Sequence, residues 1–256
     1  PALMVITGLF FALMLVIGGI KGLRSIISLA ITSFMVFLGL IPAILHNFPI
    51  IPSAIAVSVV STFLVMFIIG GINIKTLSAS IGTVSSLGIA GLISMLIIKV
   101  APLNGFNTQE AGILWTSRPD LDFTGLLTAA MIVGALGAIM DVGISIASSI
   151  EEVKNIDNTL TTSQLINSGL NVGKDIMGAM SNTLILAYIG SALPLILLAT
   201  QAPLTKLLNL NSIATEITAA LTGSIGIILC VPITAFISGH LIGKKQKAEK
   251  IDHKVV

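Results

Sequence analysis

Charge is nearly missing from this sequence: only 9% of its 256 residues are Asp, Glu, Lys or Arg. A soluble globular domain carries about 25%, so that class is excluded. Regular alternation of apolar and polar residues over roughly ten-residue segments is missing too, which excludes a transmembrane β-barrel. Cysteine is reduced to Cys230, inside an apolar run, so no internal disulfide forms and the redox compartment leaves no trace. Catalytic signatures are also absent. There is no Gly-x-x-x-x-Gly-Lys-Ser/Thr for a phosphate-binding loop, no His-Glu-x-x-His for a zinc protease and no Gly-x-Ser-Gly for an intramembrane serine protease. No second intramembrane aspartate accompanies Asp141, as an aspartyl protease would need. His46 and His240 lie near span ends, where a lone histidine reads as solvated. The expectation is therefore no enzyme, no metal and no cofactor, and the net charge of +2 gives no sign of nucleic acid as a partner.

What the chain does have is hydrophobicity, 55% of residues with a mean hydropathy of +1.06. Its partner is the lipid bilayer. The fold class read from this is all-α, a polytopic transmembrane bundle of about seven spans, at about 20 residues per crossing. Residues 1–242 form the membrane domain, with spans near 2–20, 26–45, 53–71, 77–100, 123–150, 176–198 and 213–241. Residues 243–256 form a basic cytoplasmic tail that reads as solvated and frayed. Pro49 and Pro52 mark a turn, Pro194 a kink, and Pro232 lies inside the last span. Residues 101–122 read as a polar loop holding Trp115 as an interfacial anchor. Residues 154–174 read as a short amphipathic helix lying at the interface.

Lysine and arginine counts set the orientation. With the N-terminus outside, the inner segments hold Lys21, Arg24, Lys75, Lys154, Lys174 and the tail lysines, and the outer ones hold Lys99, Arg118 and Lys206. The expected topology is N-out, C-in. The sequence begins at Pro1, so the native start is expected to lie upstream.

The polar residues of the fifth span are concentrated. Gly134, Gly137, Ala138, Asp141, Ser145, Ser148 and Glu152 recur at helical spacing and form one stripe, with Ile, Val, Leu and Met opposite. A lipid-facing aspartate costs a few kcal/mol or more, so this stripe is expected to face protein or a watery cavity. Asp141 reads as the only carboxylate deep in a span, roughly 13 Å from the inner end of its helix at about 1.5 Å per residue. It is a candidate proton or ion carrier, with Ser145, Ser181, Asn182 and Tyr188 as relay partners. The alternative is a structural hydrogen bond to Asn182 or Ser181 on the next helix. Gly134, Gly137 and Gly178 read as helix-packing positions. Glu151 and Glu152 are unfavourable at a helix C-terminus, so the helix should continue a turn past them. Together with Lys174 and Asp175 they are expected to form a cytoplasmic mouth.

On three stretches the chain resembles the YibE/F family of bacterial multi-pass membrane proteins. They are Lys21-Gly22-Leu23-Arg24-Ser25; Ile139-Met140-Asp141-Val142 through Glu151-Glu152; and Asp175-Ile176-Met177-Gly178 through Met180-Ser181-Asn182-Thr183-Leu184 to Tyr188-Ile189-Gly190. The resemblance implies the bacterial plasma membrane and an extracytoplasmic domain before the membrane region. A fainter similarity is to the core of resistance-nodulation-division permeases and SecD/SecF proteins, in which an intramembrane carboxylate relays protons. It implies transport, and since only half of their symmetric pair is present, a homodimer or a heteromer with a sister family member. Two functions follow as expectations: a proton- or ion-coupled transporter or transporter subunit, or a non-transporting assembly or scaffold subunit.

Overall fold

The computed structural model describes residues 2–101, 103–106, 108–199 and 210–255, and among these every regular element is helical. The order is α1 (Ala2–Met35), a π-helical turn (Val36–Leu40), α2 (Ile41–Leu45), α3 (Ile50–Gly70), α4 (Ile74–Val100), α5 (Gln109–Ser117), α6 (Phe123–Ile156), α7 (Thr162–Ser191), α8 (Leu193–Ala199) and α9 (Asn211–Val255). Among the described residues five helical runs are long and apolar enough to cross a membrane: Ala2–Leu45, Ile50–Gly70, Ile74–Val100, Phe123–Ile156 and Asn211–Gly243.

The first two expected spans are one helical run broken at Gly19, where φ is 53° and ψ −132°. Only glycine takes that conformation without strain. The chain turns so sharply there that a Cβ on Gly22 would run into the Met14 carbonyl. Further on, the π turn widens the helix just ahead of Pro42, whose ring would otherwise meet a carbonyl of the preceding turn. The prolines at 49 and 52 do less than expected. Pro49 is the N-cap of α3, and Pro52 sits in its first turn, where a missing N–H breaks no helical bond.

The core is built by α4, α6, α7 and α9, with α3 against α4 and α6, and α1 against α3. Val142, Ile139, Ile146 and Ile150 of α6 are fully buried, alongside Met66, Leu165 and Ile227. Two ends are defined by polar closures. At one end Arg24 donates to the Ile69 carbonyl at 3.3 Å, Asn73 caps α4, and Lys75 meets Glu151 at 2.7 Å. The basic tail continues α9 at this end as helix to Val255, rather than leaving it as frayed coil. At the opposite end Arg118 bonds Asn47 and Asp120, and Phe106 stacks on Phe123 with centroids 4.7 Å apart. The hydrogen bond from Arg118 holds the Asp120 carboxyl below the usual carboxylate range. The link is therefore intact at neutral pH and is lost only as pH falls through that lowered value. Lys206 lies outside the described residues.

The loop expected over residues 101–122 contains a helix, α5, capped by the Thr108 hydroxyl on Ala111 N–H. Trp115 on it meets Phe106 edge-on at 6.2 Å. Helix α6 runs past Glu151 and Glu152 to Ile156, as the charge argument required. The Glu151–Lys75 pair has side chains 33% and 21% exposed. Glu151→Gln is therefore expected to cost no more than about 1 kcal/mol, measured by thermal unfolding in detergent.

Candidate functional site

The interfacial helix expected over residues 154–174 does not exist as a separate element. Its first part ends α6, and the rest forms the opening turns of α7, which runs unbroken from a Thr161–Gln164 capping box to Ser191. The physical reason is the inner face. Leu165, Gly169 and Gly173 are buried, and a Cβ on Gly169 would meet Ile150 Cδ1 at 2.5 Å, so this stripe packs against the bundle rather than lipid headgroups. The break comes at Ala192, next to Pro194.

This corrects the expected mouth. Lys174 and Asp175 lie about three turns into α7. The neighbouring Gly173 packs against Ile146 and Val231, so the pair stands inward of Glu151 and Glu152 rather than beside them. Glu151 is held by Lys75, while Glu152 is exposed.

The stripe on α6 faces away from the core of its own chain. Gly134, Gly137 and Asp141 are exposed, Ser145 and Ser148 half-buried, and the Ile, Val and Met face is the one in the core. Between helices in lipid there is no hydrophobic force choosing which face turns inward, so packing decides. The bulky face of α6 fills the space among α3, α4 and α9, and the small-residue face remains outside.

Antiparallel contacts fix which residues of α6 and α7 share a level. A Cβ on Gly134 would lie 2.8 Å from Tyr188 Oη, and a Cβ on Gly173 would lie 3.3 Å from Ile146 Cδ1. Asp141 falls between these contacts on α6, and Gly178, Ser181 and Asn182 fall between them on α7. Gly178 and Asn182 are exposed, as is Asp141. Gly137 and Gly178 both face open space, with no atom within 4 Å of the point a Cβ would occupy. The Ser181 hydroxyl is buried without a partner among the described residues. The alternative reading, an Asp141 hydrogen bond to Ser181 or Asn182, is not what the structure holds. Among the described residues neither Asp141 nor Asn182 has a hydrogen bond or ion pair. A cavity of about 330 Å³ beside Asn47, Asp120 and Asp122, and an apolar groove of about 160 Å³ between α3 and α4, both lie away from Asp141.

Two features escaped the sequence reading. A second acid, Glu216, is half-buried near the start of α9 and lies close to Tyr188. The second is a hydroxyl-rich core between α4 and α9. Ser78 and Ser238 bond at 2.9 Å, Cys230 lies 3.4 Å from Thr234 Oγ1, and the Thr83 hydroxyl is buried without a partner among the described residues. Thr76, Ser80 and Thr83 at helical spacing were the available signal. Among the described residues no three His, Cys, Asp or Glu side chains gather as a metal site.

A family model described as YibE/F-like protein matches residues 6–244, so the chain belongs to that family. No curated protein and no solved structure matches it. With its long apolar helices, the chain is a multi-pass membrane protein.

Proposed function

We propose that this YibE/F-like protein is a transporter, or a transporter subunit, that couples to a proton or ion gradient through Asp141. The observation that carries the reading is the placement of that carboxylate. It stands midway along a long apolar helix, without a hydrogen bond or ion pair among the described residues, between Gly137 and Gly178, which leave open space around it. A carboxylate kept within a bilayer at such cost is by default a functional group. Tyr188, which lies against Gly134, and Glu216, close to Tyr188, stand nearer the end of the bundle that holds Arg118. In this reading α7 crosses the bilayer alongside α6, the N-terminus is outside and the C-terminus inside, and the membrane is the bacterial plasma membrane.

The test is proton flux in proteoliposomes carrying a pH-sensitive dye under an imposed potential. Asp141→Asn is expected to lower the flux at least tenfold while inserting and folding as the wild type does. Equal flux in the two contradicts the reading. The outward direction of the stripe favours a second reading, a non-transporting assembly subunit. That reading expects Asp141→Asn to be tolerated, and Gly134→Leu or Gly137→Leu to break a complex.

A further inference from the structure

The outer face of the α6–α7 pair is chemically unlike the rest of the membrane-facing surface. Along the middle of α3, α4 and α9 the large exposed side chains are apolar, as with Leu64 and Val60 on α3, Leu92 and Leu96 on α4, and Phe236 on α9. Here they are Asp141, Lys174, Asp175 and Asn182, none of which has a hydrogen bond or ion pair among the described residues. In hydrocarbon such groups must find partners, and α7 is held at this depth by its packing along α6 and α9.

We infer that this face is covered by a second copy of the same chain, related by a two-fold axis along the membrane normal. The inference is independent of whether Asp141 carries protons. Copies inserted with the same topology keep every residue at its own depth, so only groups at equal depth can meet. The face is self-complementary under that restriction. Lys174 and Asp175 are adjacent, and each meets its opposite charge on the second copy. Asp141 and Asn182 lie within about a turn of each other in depth, so the amide donates to the carboxylate of the other copy, twice by symmetry. Gly137 and Gly178, with open space before them, let the backbones approach closely enough for these side chains to reach.

Cross-linking in native membranes tests this. In a Cys230→Ala background, Gly137→Cys and Ala179→Cys sit on the face, and Leu92→Cys, 62% exposed on α4, is the control. Copper-phenanthroline oxidation is expected to give a covalent dimer of the chain from the two face positions and little from the control. Equal yield from Leu92→Cys, no dimer from either face position, or a face adduct that mass spectrometry identifies as a different protein overturns the inference. A second measurement needs no new cysteine. Fluorescence dimerisation assays in liposomes are expected to show Asn182→Leu weakening association about tenfold or more, with Leu92→Ala unchanged; equal association of Asn182→Leu and wild type overturns the pairing. Asp141→Asn, still able to accept from an amide, should dimerise even if it abolishes flux, so failure of the transport reading and failure of this one are distinguishable.

Discussion

Gly82→Leu is expected to prevent the bundle from closing, whereas Gly137→Leu leaves it folded. A Cβ on Gly82 would overlap the Thr234 hydroxyl, and it would lie 2.9 Å from Thr234 Cβ and 3.0 Å from its Cα. The last of these is backbone, so no rotamer change relieves it, and α4 must separate from α9. Overpacking costs about 1–3 kcal/mol and occasionally more. A contact with backbone at a helix crossing belongs at or above the top of that range. Gly143, whose Cβ would meet the Thr83 hydroxyl, and Gly173, against the Val231 side chain, press on side-chain atoms that can shift, so their substitution should cost less than that of Gly82. Gly137 has nothing in its way, and its substitution should stay within about 0.5 kcal/mol of wild type. Thermal unfolding in detergent, followed by circular dichroism, separates the two groups.

The second large effect is expected at Lys154. Its residue is 6% exposed, and its Nζ donates to the carbonyls of Asn158 at 3.1 Å and Leu160 at 3.0 Å. The ammonium therefore closes the turn that reverses the chain from α6 into α7. Hydrogen bonds to charged groups contribute about 1.5–3 kcal/mol each. Lys154→Met keeps the apolar stem and removes both donors, so a loss of about 3 kcal/mol or more is expected. Asp157, held below the usual carboxylate range by its hydrogen bonds from Thr159, keeps its own local turn. Hydrogen exchange should accordingly quicken over residues 158–161 and less so at the far end of α7.

Much of this architecture was legible because membrane helices obey few rules. The extension of α6 past Glu151 followed from the helix dipole, and the break near Pro194 from proline geometry. The two ends of the bundle gather the basic residues that charge counting had grouped, Arg24, Lys75 and Lys154 on one and Arg118 on the other. The continuity of α7 was hidden because its opening turns carry a single apolar stripe. Leu165, Gly169 and Gly173 suit a helix lying on a membrane as well as one docked on α6, and only the complementary shapes of Ile150 and Ile146 decide between them. The direction of the Asp141 stripe was hidden for a related reason. Periodicity reveals that two faces differ, and in lipid it does not reveal which one turns inward. Helix α5 was lost in a segment whose polarity matched a loop, although Thr108 followed by Glu110 carried a helix-start signal.

The central claim, that Asp141 is a working carboxyl on an outward polar face, is tested most directly by pH-dependent infrared difference spectroscopy. The protein is measured in nanodiscs against Asp141→Asn. A protonated-carboxyl band is expected to appear and disappear reversibly with pH in the wild type and to be missing from the variant. A carboxyl signal that does not change with pH, or a titrating band that survives in Asp141→Asn, would contradict the claim.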